Sequence, residues 1–126
     1  MWPIEEIPNP DFQFLRVHDS HVVDGFLIPG AFREHGEGDQ KGLSTDWIKY
    51  STAAQSRNRA NNPAKTSIVS MITGLIRYYD LTVTHAPLVD NRAHVNTPSV
   101  TDNPKRRLKL MGLCDWEIKS DFVNSF

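Results

Sequence analysis

The densest group of side chains able to do chemistry is His18-Asp19-Ser20-His21, with Asp24 close behind. Two imidazoles and two carboxylates match the donor set of a zinc or iron site, where three protein ligands and a water suffice. Strand alternation argues against that use. His18 and His21 would leave opposite faces of an extended chain, and Asp24 precedes Gly25 in a turn. No metal is expected here.

Arg16 and His18, two residues apart, share one strand face, while His85 and His94 stand near the ends of later strands. A pair of imidazoles with a guanidinium is the set that metal-free phosphodiester cleavage needs. One ring acts as base, the other as acid, and the cation meets the charge that builds on pentavalent phosphorus. His18-Asp19-Ser20 also resembles the His-x-Ser/Thr element of two-histidine phosphoesterases, but neither His85-Ala86-Pro87 nor His94-Val95-Asn96 supplies a second copy. The plainer expectation, and the one favoured, is partly buried histidines that donate to backbone carbonyls.

Other candidates are weaker. Cys114 has Asp115 beside it, and a carboxylate raises a thiol's pKa, so it reads as a small core residue. Ser44 lacks a nucleophile-elbow context. No Gly-x-Gly-x-x-Gly or phosphate-loop pattern is present, and no cofactor is expected. Lys105-Arg106-Arg107-Leu108-Lys109 puts cations into the first turn of a helix, against its dipole. Either these charges form a solvated face paired to Asp102 or Glu117, or they contact phosphates.

These residues must be carried by a chain of 126 residues, the size of one domain. It is 39% hydrophobic and 23% charged, with a formal net charge of −1, which removes the general electrostatic case for nucleic acid. Apolar runs are too short for a membrane helix, and the acidic start is unlike a secretory leader. With a single cysteine, a reducing cytoplasm is the expected setting.

Residues 1–11 carry Pro3, Pro8 and Pro10 and are expected to form an extended arm, with residues 12–126 as one globular domain. Aromatic and β-branched content predicts a strand over 12–18, and Asp24-Gly25 predicts a hairpin turn between His21-Val22-Val23 and Phe26-Leu27-Ile28. The polar, glycine-punctuated run 34–42 reads as a surface loop, followed by a short strand at 43–47. Ser51 or Thr52 caps a helix over about 52–60, with Gln55 in the capping-box position relative to Thr52, and 66–72 reads as a central strand. Thr73 is placed as the cap of a short helix, 81–85 and 93–96 as further strands, and Asn103-Pro104 as the start of a basic helix over 104–112. Trp116-Glu117-Ile118 adds a last strand. The fold class expected is α+β, a small mixed or antiparallel sheet with two or three short helices.

The order Leu15-Arg16-Val17-His18, Val23-Asp24-Gly25, Pro29-Gly30-Ala31-Phe32, Leu43-Ser44 and Ala93-His94 resembles a pattern in a group of short bacterial proteins of unknown function. The resemblance covers most of residues 14–113 and implies a bacterial type but no mechanism.

Three functional expectations follow. The leading one is a non-enzymatic accessory protein that binds another protein through a sheet edge or its aromatic arm, with Trp2 and Trp47 as contacts. The alternative is a small metal-free nuclease or nucleotide-processing enzyme using Arg16, His18 and His94. A third is a nucleic-acid-contacting module built on Lys105, Arg106 and Arg107, possible but not favoured. No membrane partner is expected.

Overall fold

Phe12–His18, rich in aromatic and branched side chains, forms β1, the strand around which the others assemble. The computed structural model describes residues 1–126. β1 is followed by the hairpin β2 (Val22–Val23) and β3 (Phe26–Leu27), then β4 (Glu34–His35) and β5 (Gly42–Trp47). Helix α1 (Ala53–Asn58) leads to β6 (Thr66–Ile72) and α2 (Thr73–Tyr78). Then come β7 (Thr84–His85), β8 (His94–Thr97), α3 (Pro104–Met111), β9 (Asp115–Ile118) and α4 (Asp121–Asn124). The main sheet runs β7-β8-β5-β1-β6-β9, with β4 also on β5 and every pairing antiparallel. The fold is thus α+β.

The two sheet faces differ in chemistry. Leu15, Val17, Leu43, Trp47, Val69 and Val95 enter the main core, where Ile76, Leu110 and Val123 meet them from the helices. Gln13 lies on this side too, fully buried. Its amide donates to Thr73 Oγ1 (3.0 Å) and accepts from Thr45 Oγ1 (2.7 Å), which satisfies it. Phe14, Arg16 and His18 point the other way. Phe14 pairs with Asp46, Asp46 with His94 and Ser44 with Asn96, so Arg16, Ser44, Asp46 and His94 share this polar face.

Helix α1 lies against the polar side. Its start is fixed by the expected capping box: Gln55 N donates to Thr52 Oγ1 and Thr52 N donates to Gln55 Oε1. Ser56 and Arg59, one turn on, both donate to Asp46.

β1 and β5 pair only at Gln13–Trp47 and Phe14–Asp46. Beyond that point the first residues of β5 take β4 instead, through Glu34–Leu43 and His35–Gly42. The sheet therefore opens between Arg16 and His18 on one strand and Ser44 on the other. A split of this kind exposes side chains that a continuous ladder would cover.

Local signals were kept in most places. The Asp24-Gly25 turn has φ of 52° and 83°, the positive pair a type I′ turn needs. Asn103 Oδ1 caps Lys105 N at 2.9 Å, ahead of Pro104 at the first helical position. Four features differ from expectation. Part of the 34–42 run becomes β4, and strand 81–85 shortens to Thr84–His85 because β8 is its only partner. Thr73 is the first residue of α2 rather than its cap, its hydroxyl taken by Gln13. A fourth helix, the single turn α4, is too short to leave a periodic signal.

Residues 1–8 form neither helix nor strand. The arm is pinned by Ile7, 1% exposed, rather than by Trp2 (43%) or Ile4 (73%). Backbone bonds help: Gly74 N donates to Asn9 O (2.8 Å), and Arg77 donates to Ile7 O (2.7 Å). Trp2 sits against the Arg92 guanidinium, 4.7 Å from the ring centre. No helix is long and apolar enough to cross a membrane.

Candidate functional site: a basic cleft with a serine–histidine pair

The opening between β1 and β5 is the mouth of two adjoining cavities, of about 590 and 300 Å³. Arg16, Ser44 and Arg59 line both. The larger also takes His18, His21, Arg33 and His35, and the smaller takes His94. Four of the chain's five histidines and three arginines thus converge in a protein whose net charge is −1. One acid, Asp90, lines the smaller cavity and none lines the larger.

The arginines are not equivalent. Arg59 is tied to the buried Asp46 carboxylate at 3.3 Å and to Ser51 Oγ at 2.9 Å. Arg16 and Arg33 have neither a carboxylate within 4.0 Å nor a protein acceptor for their guanidinium groups. Their five donors each remain for solvent or an anion.

Asp46 is wholly buried and organises the floor. One oxygen accepts from Ser56 Oγ (2.6 Å) and Arg59, and the other accepts from Asn91 Nδ2 (2.8 Å). This fixes Arg59 at the cleft from below.

The histidines hold opposite tautomers. His94 Nδ1 lies 2.8 Å from Ala86 O, a pure acceptor, so Nδ1 carries the proton. Nε2 of the neutral ring is then a lone pair, and Ser44 Oγ donates to it at 2.7 Å. His18 Nδ1 instead accepts from Ser20 N at 3.1 Å, which puts the neutral ring's proton on Nε2. Its Nε2 has no protein partner. His94 is therefore set as an acceptor toward Ser44, and His18 as a donor lining the larger cavity.

His21 records the local field. Burial, then the Arg33 guanidinium and any proton added to His18, hold its pKa below the ordinary histidine value. His85 lies elsewhere. It is buried against Trp47, accepting from Glu5 N at 3.0 Å and donating to Arg92 O at 2.7 Å. It serves the arm.

Of the residues expected to act chemically, Arg16 and His18 meet in the larger cavity, and Arg16 and His94 in the smaller. No three His, Cys, Asp or Glu side chains group as a metal shell. Trp47 requires a correction. It is 1% exposed, with its indole N–H on Asp11 Oδ2 (2.9 Å), so it is a core residue and not a contact for a partner. In the basic run, Arg106 donates to Ser99 O (2.6 Å) and Lys109 lies over Tyr79, which leaves Lys105 the most freely solvated cation.

Ser44, Arg33, His35 and Arg59 were not expected here. Strand alternation does place Ser44 and Asp46 on one face, but only the pairing with β8 reveals what they meet. No described family, curated protein or solved structure matches this chain, so the chemistry of the cleft is read from its own residues.

Proposed function

We propose that the protein is a small enzyme that binds and hydrolyses a phosphate ester of the nucleotide class in this cleft, using guanidinium and imidazole groups. The observation that carries the reading is Arg16: a guanidinium with no protein partner at the junction of two cavities, facing the opposed tautomers of His18 and His94. A phosphoryl group there would meet two arginines, one free and one fixed by Asp46. His18 Nε2–H would donate to it, and His94 would supply the base. Bound anion also relieves the unfavourable field of Arg33 on a protonated His21. The reducing cytoplasm, where nucleotides abound, is the compartment we assign, on the strength of the lone Cys114.

Titration with inorganic phosphate and a nucleoside monophosphate, followed by amide and imidazole NMR, tests the binding half. Shifts should centre on Arg16, His18, His21 and Ser44. Hydrolysis of an aryl phosphate and a dinucleotide tests the catalytic half. Neither shift nor turnover would end this reading.

A second reading remains, an accessory protein of bacterial type that binds another protein. It is supported by the half-exposed Trp2 and by an apolar patch at the hairpin tip, where Phe126 packs on Gly25 near exposed Val23, Phe26 and Phe122. Turnover separates the two, because a purely accessory protein has none.

A further inference from the structure

Within that phosphate-ester reading, we propose that Ser44 is a nucleophile that receives the phosphoryl group covalently before water does. Three observations converge on its hydroxyl. First, the Ser44 Oγ–H points at a base whose orientation is already fixed. His94 is held through Nδ1 by the Ala86 carbonyl, so Nε2 has nothing to do but accept (2.7 Å). Second, Ser44 lines both cavities, so a phosphorus at their junction can have Oγ on one side and its leaving oxygen in the other chamber. In-line displacement requires that arrangement. Third, Arg16 and Arg59 line the same two cavities, placing positive charge beside the three equatorial oxygens, which carry negative charge.

The alternative use of the pair, a hydrogen bond that merely orients His94 toward a water, makes Ser44 dispensable to bond formation. The two differ in which oxygen first reaches phosphorus.

In the first step the Oγ–P bond forms and the P–O bond to the leaving group breaks. The Ser44 proton moves to His94 Nε2, and the leaving oxygen departs into the open cleft, where solvent protonates it. His94 returns its proton to solvent. In the second step His94 takes a proton from water as that water attacks phosphorus. The P–Oγ bond breaks, His94 hands that proton to Ser44 Oγ, and phosphate leaves. The sum is ester plus water giving alcohol plus phosphate, with no other reactant.

The test is acid quench of the protein during turnover of an aryl phosphate and of nucleoside phosphates, followed by intact-mass and peptide analysis. The expected result is a gain of one phosphoryl group on Ser44, absent in Ser44→Ala. Ser44→Ala should keep the phosphate-induced NMR shifts and lose turnover, and His94→Asn should lose about 10²–10⁴-fold in rate. Wild-type protein supplies an independent measurement if Ser44→Ala misfolds. Transfer from an isotopically chiral phosphate to an alcohol should proceed with retention, the mark of two displacements. Inversion, turnover surviving in folded Ser44→Ala, or no phosphoserine from any of these donors would overturn the covalent role. Failure of the cleft reading looks different, because phosphate would then leave the spectrum unchanged.

Discussion

Asp46 and His94 stand directly opposite each other in the β5–β8 register, yet no hydrogen bond joins them. The Asp46 carboxylate is fully engaged by Ser56, Arg59 and Asn91, and His94 is oriented by a carbonyl oxygen instead. A carbonyl fixes the tautomer as a carboxylate does, but it offers the imidazolium less charge stabilisation. The arrangement therefore divides labour: Asp46 positions a cation, and Ala86 positions a base.

Asp46→Ala should cost about 3 kcal/mol in chemical denaturation, the lower end for breaking a buried ion pair, because the Arg59 side chain keeps 27% of its exposure and can rehydrate. Asn91 and Ser56 would lose their acceptor as well. Phosphate binding should weaken in the same variant, since Arg59 is no longer held. Unchanged stability would mean that the network on the floor of the cleft is not formed in solution.

Arg16→Ala should behave in the opposite way. The guanidinium has no protein partner, so melting temperature should barely move. Phosphate affinity should fall roughly ten- to a hundredfold, the loss of charge-assisted hydrogen bonds worth about 1.5–3 kcal/mol. Calorimetric titration reads the affinity, and a thermal melt the stability. Arg16→Lys should recover only part of the affinity, because an ammonium lacks the planar fork.

How much of this was legible beforehand depends on sequence distance. β1, the Asp24-Gly25 turn and the Thr52/Gln55 cap are local patterns, and these three survived. That Arg16 and His18 share a face follows from alternation alone. Ser44 and His94, by contrast, are 50 residues apart and meet through a register that no local rule specifies. Residue type alone suggests Trp47 as a partner contact, although Leu43, Thr45 and Trp47 alternate onto the face that holds the core. Donation from histidines to backbone carbonyls was expected, and His85 and His94 do donate to Arg92 O and Ala86 O, but the opposed tautomers were hidden. His18 and His94 owe their tautomers to the Ser20 amide and the Ala86 carbonyl, whose positions are set by backbone geometry.

Cys114 should resist thiol reagents in the native protein. Burial, then the Asp115 charge, push its pKa up to about 12, and its Sγ donates to Leu110 O at 3.3 Å. At pH 8 almost no thiolate exists to react. Labelling by an aromatic disulfide should therefore be slow in buffer and complete in denaturant. Rapid native labelling would show that the segment around α3 and β9 opens readily.

His21 supplies the last prediction, because its pKa reports both folding and occupancy of the cleft. Burial, Arg33 and His18 lower it in the folded protein, so the unfolded chain binds the proton more tightly. Stability from this group is then present above the unfolded value, near 6.5, and is lost as pH falls through the depressed folded value. Acid should destabilise the protein through His21, and His21→Gln should flatten that part of the curve. A phosphate in the larger cavity would offset the charge of Arg33 and raise the His21 pKa toward its ordinary value. By linkage, the protonation of His21 then favours phosphate binding as pH drops, a contribution that His21→Gln should remove. Imidazole NMR titration with and without phosphate measures the shift directly. A His21 pKa that phosphate leaves unmoved would mean that the anion does not sit beside Arg33, and would confine any ligand to the Arg16, Ser44 and His94 side of the cleft.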